Sequence, residues 1–182
     1  DDASFNAAAI FGDAAVPEFV DPELLAQVDA VRADYAHSMH IPSTSRARLA
    51  DAMPIENGAV AFLVGGKLEK RYGTSTEILF RQESQFLYLS GFDHPEALLV
   101  VGLRSQSKMA IGPGQGFLFI DRGDPVWGGG WQGTLAECAE VYDVDECFWL
   151  ENLADTMSAL APNTVHTLNA DELPAGAIPP GA

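Results

Sequence analysis

The sequence predicts an α/β domain, a sheet of strands with helices interspersed. Two observations carry this. Short runs of consecutive apolar, β-branched or aromatic residues recur at Ala59–Val64, Phe86–Leu89, Ala97–Leu103 and Phe117–Ile120, and the first and last of these adjoin glycine turn residues. Around them lie segments with helix-start chemistry, Asp21-Pro22-Glu23 and Thr134-Leu135-Ala136-Glu137 being the clearest. Strands mixed with amphipathic helices bury their faces as layers around a sheet. A length of 182 residues suits a single domain spanning 1–182, and a hydrophobic content of 47% supplies its core.

The elements follow in order. Residues 1–20 are small and acidic. Asp21 caps a helix whose first turn holds Pro22, where a missing N–H costs nothing, and Leu24, Val28, Val31 and Tyr35 form its apolar stripe. His37 to Ser45 is a polar connection containing Pro42, and Thr44 or Ser45 opens a second helix through Leu49 and Met53. Asn57-Gly58 turns the chain into the run Ala59–Val64, which Gly65-Gly66 closes. A charged stretch, Lys67 to Thr76, precedes Phe86–Leu89 and Ala97–Leu103, both read as buried strands. Gly112-Pro113-Gly114-Gln115-Gly116 reads as an elongated hairpin end. Thr134 and Glu137 form a capping box for a helix to about Val141. Glu151 to Ala161 is a helix with Leu153, Met157 and Leu160 on one side, and Val165–Leu168 is a last strand before a tail rich in Pro and Gly.

Charge excludes one class of partner. The formal net charge is −16, and all basic residues lie between Arg32 and Arg122. Nucleic-acid binding needs a cationic surface to displace condensed counterions, so DNA and RNA are not partners. The acidic shell is read as a solubility device, with a basic partner of the histone type as the alternative. No apolar run reaches the roughly 18 residues of a membrane span, and the N-terminus lacks a secretory signal. The first residue is Asp1 rather than Met, so the chain is read as a processed or engineered fragment. Cys138 and Cys147 form no C-x-x-C pair and are read as buried reduced thiols, in keeping with a cytoplasmic home.

No catalytic constellation emerges from the residue census. His37 and His40 stand at helical spacing, but no acidic ligand accompanies them and Pro42 follows closely, so loop histidines are the reading. His94, between Asp93 and Pro95, marks a turn. Ser105-Gln106-Ser107-Lys108 matches S-x-x-K only formally, since it falls in a turn between strands. Trp127 and Trp131 flank Gly128-Gly129-Gly130, where indoles serve either to wall a ligand site or to pack on their own sheet. Phe80, Phe86, Tyr88, Phe117 and Phe119 are assigned to strand interiors. Phe80-Arg81-Gln82-Glu83-Ser84-Gln85-Phe86 puts Arg81 and Glu83 between apolar runs, which calls for a polar network or, more sharply, an arginine for a substrate carboxylate.

These segments carry a resemblance. Gly65-Gly66, Arg71-Tyr72-Gly73-Thr74-Ser75-Thr76, the Phe80–Phe86 string, Gly91-Phe92 and Pro95 look like the N-terminal domain shared by prolidases and aminopeptidase P. The order of R-Y-x-T-x-T before F-R-Q-E-S-x-F is especially similar to eukaryotic prolidase, and Phe117, Phe119, Trp127 and Tyr142-Asp143-Val144-Asp145 extend it. The resemblance implies a mixed sheet flanked by helices, with a ribonuclease-H-like motif. It implies a C-terminal pita-bread catalytic domain, absent from this chain, that holds two divalent metals, usually manganese, and cleaves the bond before proline in Xaa-Pro dipeptides or peptides. It further implies a homodimer in which a loop tryptophan reaches the neighbouring subunit's active site. Trp127 matches that position and Trp131 competes for it. Arg71, Tyr72, Arg81 and Glu83 are carried over as structural motif residues, with no metal ligand or catalytic residue in this chain. The competing function is a non-catalytic peptidase-like interaction module of the histone-chaperone type.

Overall fold

A computed structural model of the chain describes residues 41–53, 56–104, 110–122, 131 and 133–178. All of them belong to one compact unit, residues 39–182. Five strands form a single sheet: β1 (Ala59–Val64), β2 (Leu98–Gly102), β3 (Gly116–Ile120), β4 (Glu146–Trp149) and β5 (Thr164–Thr167). Their order is β4-β3-β2-β1-β5. β1, β2 and β3 make an antiparallel meander, with Phe62 opposite Val100 and Leu99 opposite Leu118. β4 then joins β3 in parallel, and β5 joins β1 in parallel. Parallel neighbours need a crossover, and two helices supply it. α3 (Leu135–Val141) links β3 to β4, and α4 (Leu153–Leu160) links β4 to β5.

Burial on both faces explains the unbroken apolar strand runs. On one face Ala61, Leu63, Leu99, Val101, Leu118 and Ile120 pack with Phe86, Leu89, Cys138 and Tyr142. On the other, Val60, Phe62, Val100, Phe117 and Phe119 pack with Leu153, Met157 and Leu160 of α4. The period-2 alternation along β1 thus divides its side chains between two cores. The mixed sheet with flanking helices is the fold that the sequence predicts.

Three local readings need correction. Phe86–Leu89 is not a strand but part of a helix, α2 (Ser84–Ser90). Glu83, extended at φ −60° and ψ 134°, caps it by accepting the Phe86 N–H at 2.6 Å, and Gly91 ends it in the left-handed region at φ 70°. Phe86, Leu89 and Ser90 are its buried residues, a helical spacing that leaves Tyr88 exposed. A four-residue apolar run fits either period, and here the cap decides it. Second, the polar connection does not run to Ser45, because residues 41–52 are helical (α1) and Pro42 lies within them. Ser45 does not cap; its hydroxyl donates to the Ile41 carbonyl at 2.7 Å, the back-bond a mid-helix serine makes. Third, β4 has no counterpart in the sequence reading. The helix expected from Asp21, together with His37, His40, Ser105–Lys108 and Trp127, lies outside the described residues.

Candidate functional site

The F-R-Q-E-S-x-F string builds the entrance to α2, and its central amide does most of the joining. Gln82 Oε1 accepts the Gly66 N–H at 2.6 Å and the Glu83 N–H at 2.9 Å. Gln82 Nε2 donates to the Phe92 carbonyl at 3.1 Å and the His94 carbonyl at 2.8 Å. The amide's two lone pairs and two protons are all engaged. It therefore ties the end of β1 to the Gly91–Pro95 turn. The glycines before it leave the room: a Cβ on Gly65 would stand 2.8 Å from the Ala97 carbonyl, and one on Gly66 would stand 3.2 Å from that of Arg81. Glu83 is committed to its cap, and Arg81 is exposed. Neither an Arg81–Glu83 pair nor a buried Arg81 forms part of this network.

Past the turn, aromatic rings stand edge to face in series. Phe92 meets His94 at 5.2 Å between centroids and Tyr142 at 4.8 Å, and Tyr142 meets Trp131 at 5.8 Å. Trp131 is half-buried against the same core. Its indole N–H donates to the Thr134 carbonyl at 2.9 Å, and its backbone N–H to that of Asp121 at 3.3 Å. One residue thus joins the exit of β3 to the start of α3. Beside it Arg122 bonds Glu151 at 2.8 Å and lies 4.5 Å over the Trp149 ring, an exposed pair of small individual worth.

Arg46, only 1% exposed, sits behind the aromatic series. One Nη donates to the Leu89 carbonyl at 2.8 Å, at the end of α2, and the other to the Asp143 carbonyl beside Tyr142. Its Nε has no hydrogen-bond partner and faces Gly116, where a Cβ would lie 2.8 Å away. Burial pulls the guanidinium below the usual arginine range, partly offset by the Asp145 and Asp143 carboxylates. Sequence reasoning missed Arg46 and Gln82. The available signal for Arg46 was its place on the helical stripe shared by Pro42, Leu49, Ala50 and Met53.

Arg71 and Tyr72 stand elsewhere, on a short 3-10 turn, Arg71–Gly73, at the tip of a hairpin. Thr74 closes that turn through both its N–H and its hydroxyl, which reach the Arg71 carbonyl at 2.9 and 2.6 Å. Arg71, Tyr72, Glu77, Ile78 and Leu79 line a cavity of about 460 Å³. The structure brings Arg71 and Tyr72 together in one place, Arg81 and Glu83 in a second, and Trp131 in a third. Among the described residues no three His, Cys, Asp or Glu side chains gather as a metal site. Also among them, no helix is long and apolar enough to cross a membrane.

The comparisons with known proteins agree with this architecture. Residues 43–168 match the family described as aminopeptidase P, N-terminal domain. The chain belongs to that family. Human Xaa-Pro dipeptidase is 27% identical over 134 residues, which cover 72% of this chain and 25% of the human protein. Mouse Xaa-Pro aminopeptidase 3 is 35% identical over 88 residues, covering 47% of this chain and 17% of that one. Among solved structures, aminopeptidase P from E. coli with the inhibitor Pro-Leu superposes with a TM-score of 0.56 at 23% identity, covering 71% of this chain and 29% of that one. That likeness is one of fold. This aminopeptidase P N-terminal domain therefore corresponds to about a quarter of the length of its dipeptidase relative.

Proposed function

We propose that this domain is the N-terminal, non-catalytic part of a longer cytoplasmic Xaa-Pro peptidase of the dipeptidase branch, with aminopeptidase P as the sister activity. In this reading the domain self-associates and lends a loop tryptophan to the neighbouring subunit's active site. The observation that carries it is the family match over residues 43–168. Trp131 is committed to its own domain through the Thr134 carbonyl and the Tyr142 ring. In this reading Trp127 is the residue that reaches a substrate, where an indole gives a flat apolar wall suited to a proline ring.

The two divalent metals that the family implies, manganese in our reading, find no ligand set among the described residues. In this reading they belong to the catalytic domain that follows, where they activate water and polarise the scissile carbonyl. This chain's residues bind and orient substrate and hold no reacting atom. A competing reading, an interaction module for a basic partner such as histones, draws on the net charge of −16.

The test has two arms. The isolated chain, given Gly-Pro and manganese, shows no turnover; metal-dependent hydrolysis by it overturns the non-catalytic assignment. In the complete protein Trp127→Ala lowers kcat/KM for Gly-Pro about tenfold, equivalent to about 1.4 kcal/mol, with metal content unchanged. Unaltered kinetics would remove Trp127 from the site. Salt-sensitive capture of histones by the isolated chain, with an inactive complete protein, would favour the competing reading.

A further inference from the structure

Residues 67–79 are all exposed, yet they are ordered by their own hydrogen bonds. The Arg71 N–H donates to the Thr76 carbonyl at 2.8 Å, the Ile78 N–H to that of Glu69 at 2.9 Å, and Lys70 bridges Glu77. The excursion contributes no core residue. It holds Tyr72 at 94% exposure and Leu79 at 82%, with Leu68 and Ile78 also exposed. Tyr72 is moreover in the left-handed region, φ 48° and ψ 37°, an uncommon conformation for a bulky side chain. Between residues 67 and 81 the cations Lys67, Lys70, Arg71 and Arg81 outnumber Glu69 and Glu77, in a chain whose net charge is −16. The hairpin is thus apolar and basic on an acidic body.

A complementary surface exists on the same chain. Between α4 and the β3–β4 edge lies a cavity of about 560 Å³ lined by Phe117, Glu146, Phe148, Asp155, Ala159 and Leu160. Phe117 and Phe148 meet edge to face at 5.3 Å. Glu146 and Asp155 are exposed, and among the described residues neither carboxylate is hydrogen-bonded or ion-paired. Phenyl faces beside two exposed carboxylates suit a guanidinium flanked by apolar side chains. The hairpin presents that combination in Arg71, Tyr72 and Leu79.

We propose that the hairpin of one copy docks into the α4–β4 groove of a second copy. Two-fold symmetry repeats the contact in reverse, which closes the pair. Charge complementarity selects the occupant: the hairpin carries the excess of cations, and the groove is acidic. This deepens the self-association of the proposed function by naming its surface.

The experiment is sedimentation equilibrium on the full chain over a concentration series. The wild type is a dimer. Arg71→Glu and Glu146→Arg each raise the dissociation constant about tenfold, and the two together in one chain restore it. Tyr72→Ala weakens the dimer as well. All three positions carry exposed side chains, and far-UV circular dichroism verifies that the fold is kept. A monomeric wild type overturns both this contact and the self-association reading. A dimer indifferent to Arg71→Glu, or one that the double charge exchange fails to restore, overturns the contact alone.

Discussion

Gln82 and Gly66, sixteen positions apart, are held together by a hydrogen bond of 2.6 Å from the Gly66 N–H to Gln82 Oε1. The same amide reaches Phe92 and His94 through its nitrogen. Gln82→Ala leaves these backbone groups without their partner and is expected to cost about 2 kcal/mol in urea unfolding. Gln82→Glu keeps the acceptors but sets a carboxylate against two carbonyls. Its deficit should shrink in acid, where the protonated carboxyl donates again. A loss under about 0.5 kcal/mol for both variants would show that water replaces the amide.

Arg46 joins Leu89 to Asp143 from a buried position. Arg46→Met removes the donor from both carbonyls and is expected to destabilise the domain by about 3 kcal/mol, with Arg46→Lys recovering part. The readout is the urea midpoint at constant m-value. If Met and Lys behave alike, the paired donors of the guanidinium are not what matters.

Glu137 accepts the Thr134 N–H and hydroxyl at 2.7 and 2.9 Å. These bonds, the backbone one foremost, hold its carboxyl below the ordinary value of 4.5. A depressed folded pKa contributes stability that is present above the unfolded value and lost as pH falls through the folded one. The loss therefore begins near 4.5 and proceeds to lower pH. Thr134→Ala should move the Glu137 titration, followed by carboxyl NMR, back toward 4.5. An identical midpoint in the variant would contradict the capping account.

Cys138 and Cys147 are buried and free. The Cys147 thiol is pushed far up, first by its hydrogen bond with Cys138 and then by burial. Both side chains are shut away from solvent, so neither cysteine should react with an aromatic disulfide reagent in the native protein. Both should titrate once the chain is denatured. Prompt native-state labelling of either would mean that the α3–β4 contact opens easily.

The sequence by itself determined the elements whose signals are local. Ala59–Val64 is a strand because every residue of that run is suited to burial in a sheet. The Thr134–Glu137 capping box and the Leu153, Met157, Leu160 stripe were legible because their partners lie within one or two helical turns. Tertiary structure decided the rest. Whether Phe86–Leu89 is helix or strand depends on a cap at Glu83 and a core that receives Phe86 and Leu89 together. β4 is short, and its parallel pairing with β3 exists only after α3 has carried the chain back to the sheet. The site followed the same rule. Its motif is visible in the sequence, where the charges of Arg81 and Glu83 mark them as its polar centre. The residue that binds the parts together is the neutral Gln82, whose partners are backbone groups that carry no side-chain identity and meet it only when the chain has folded.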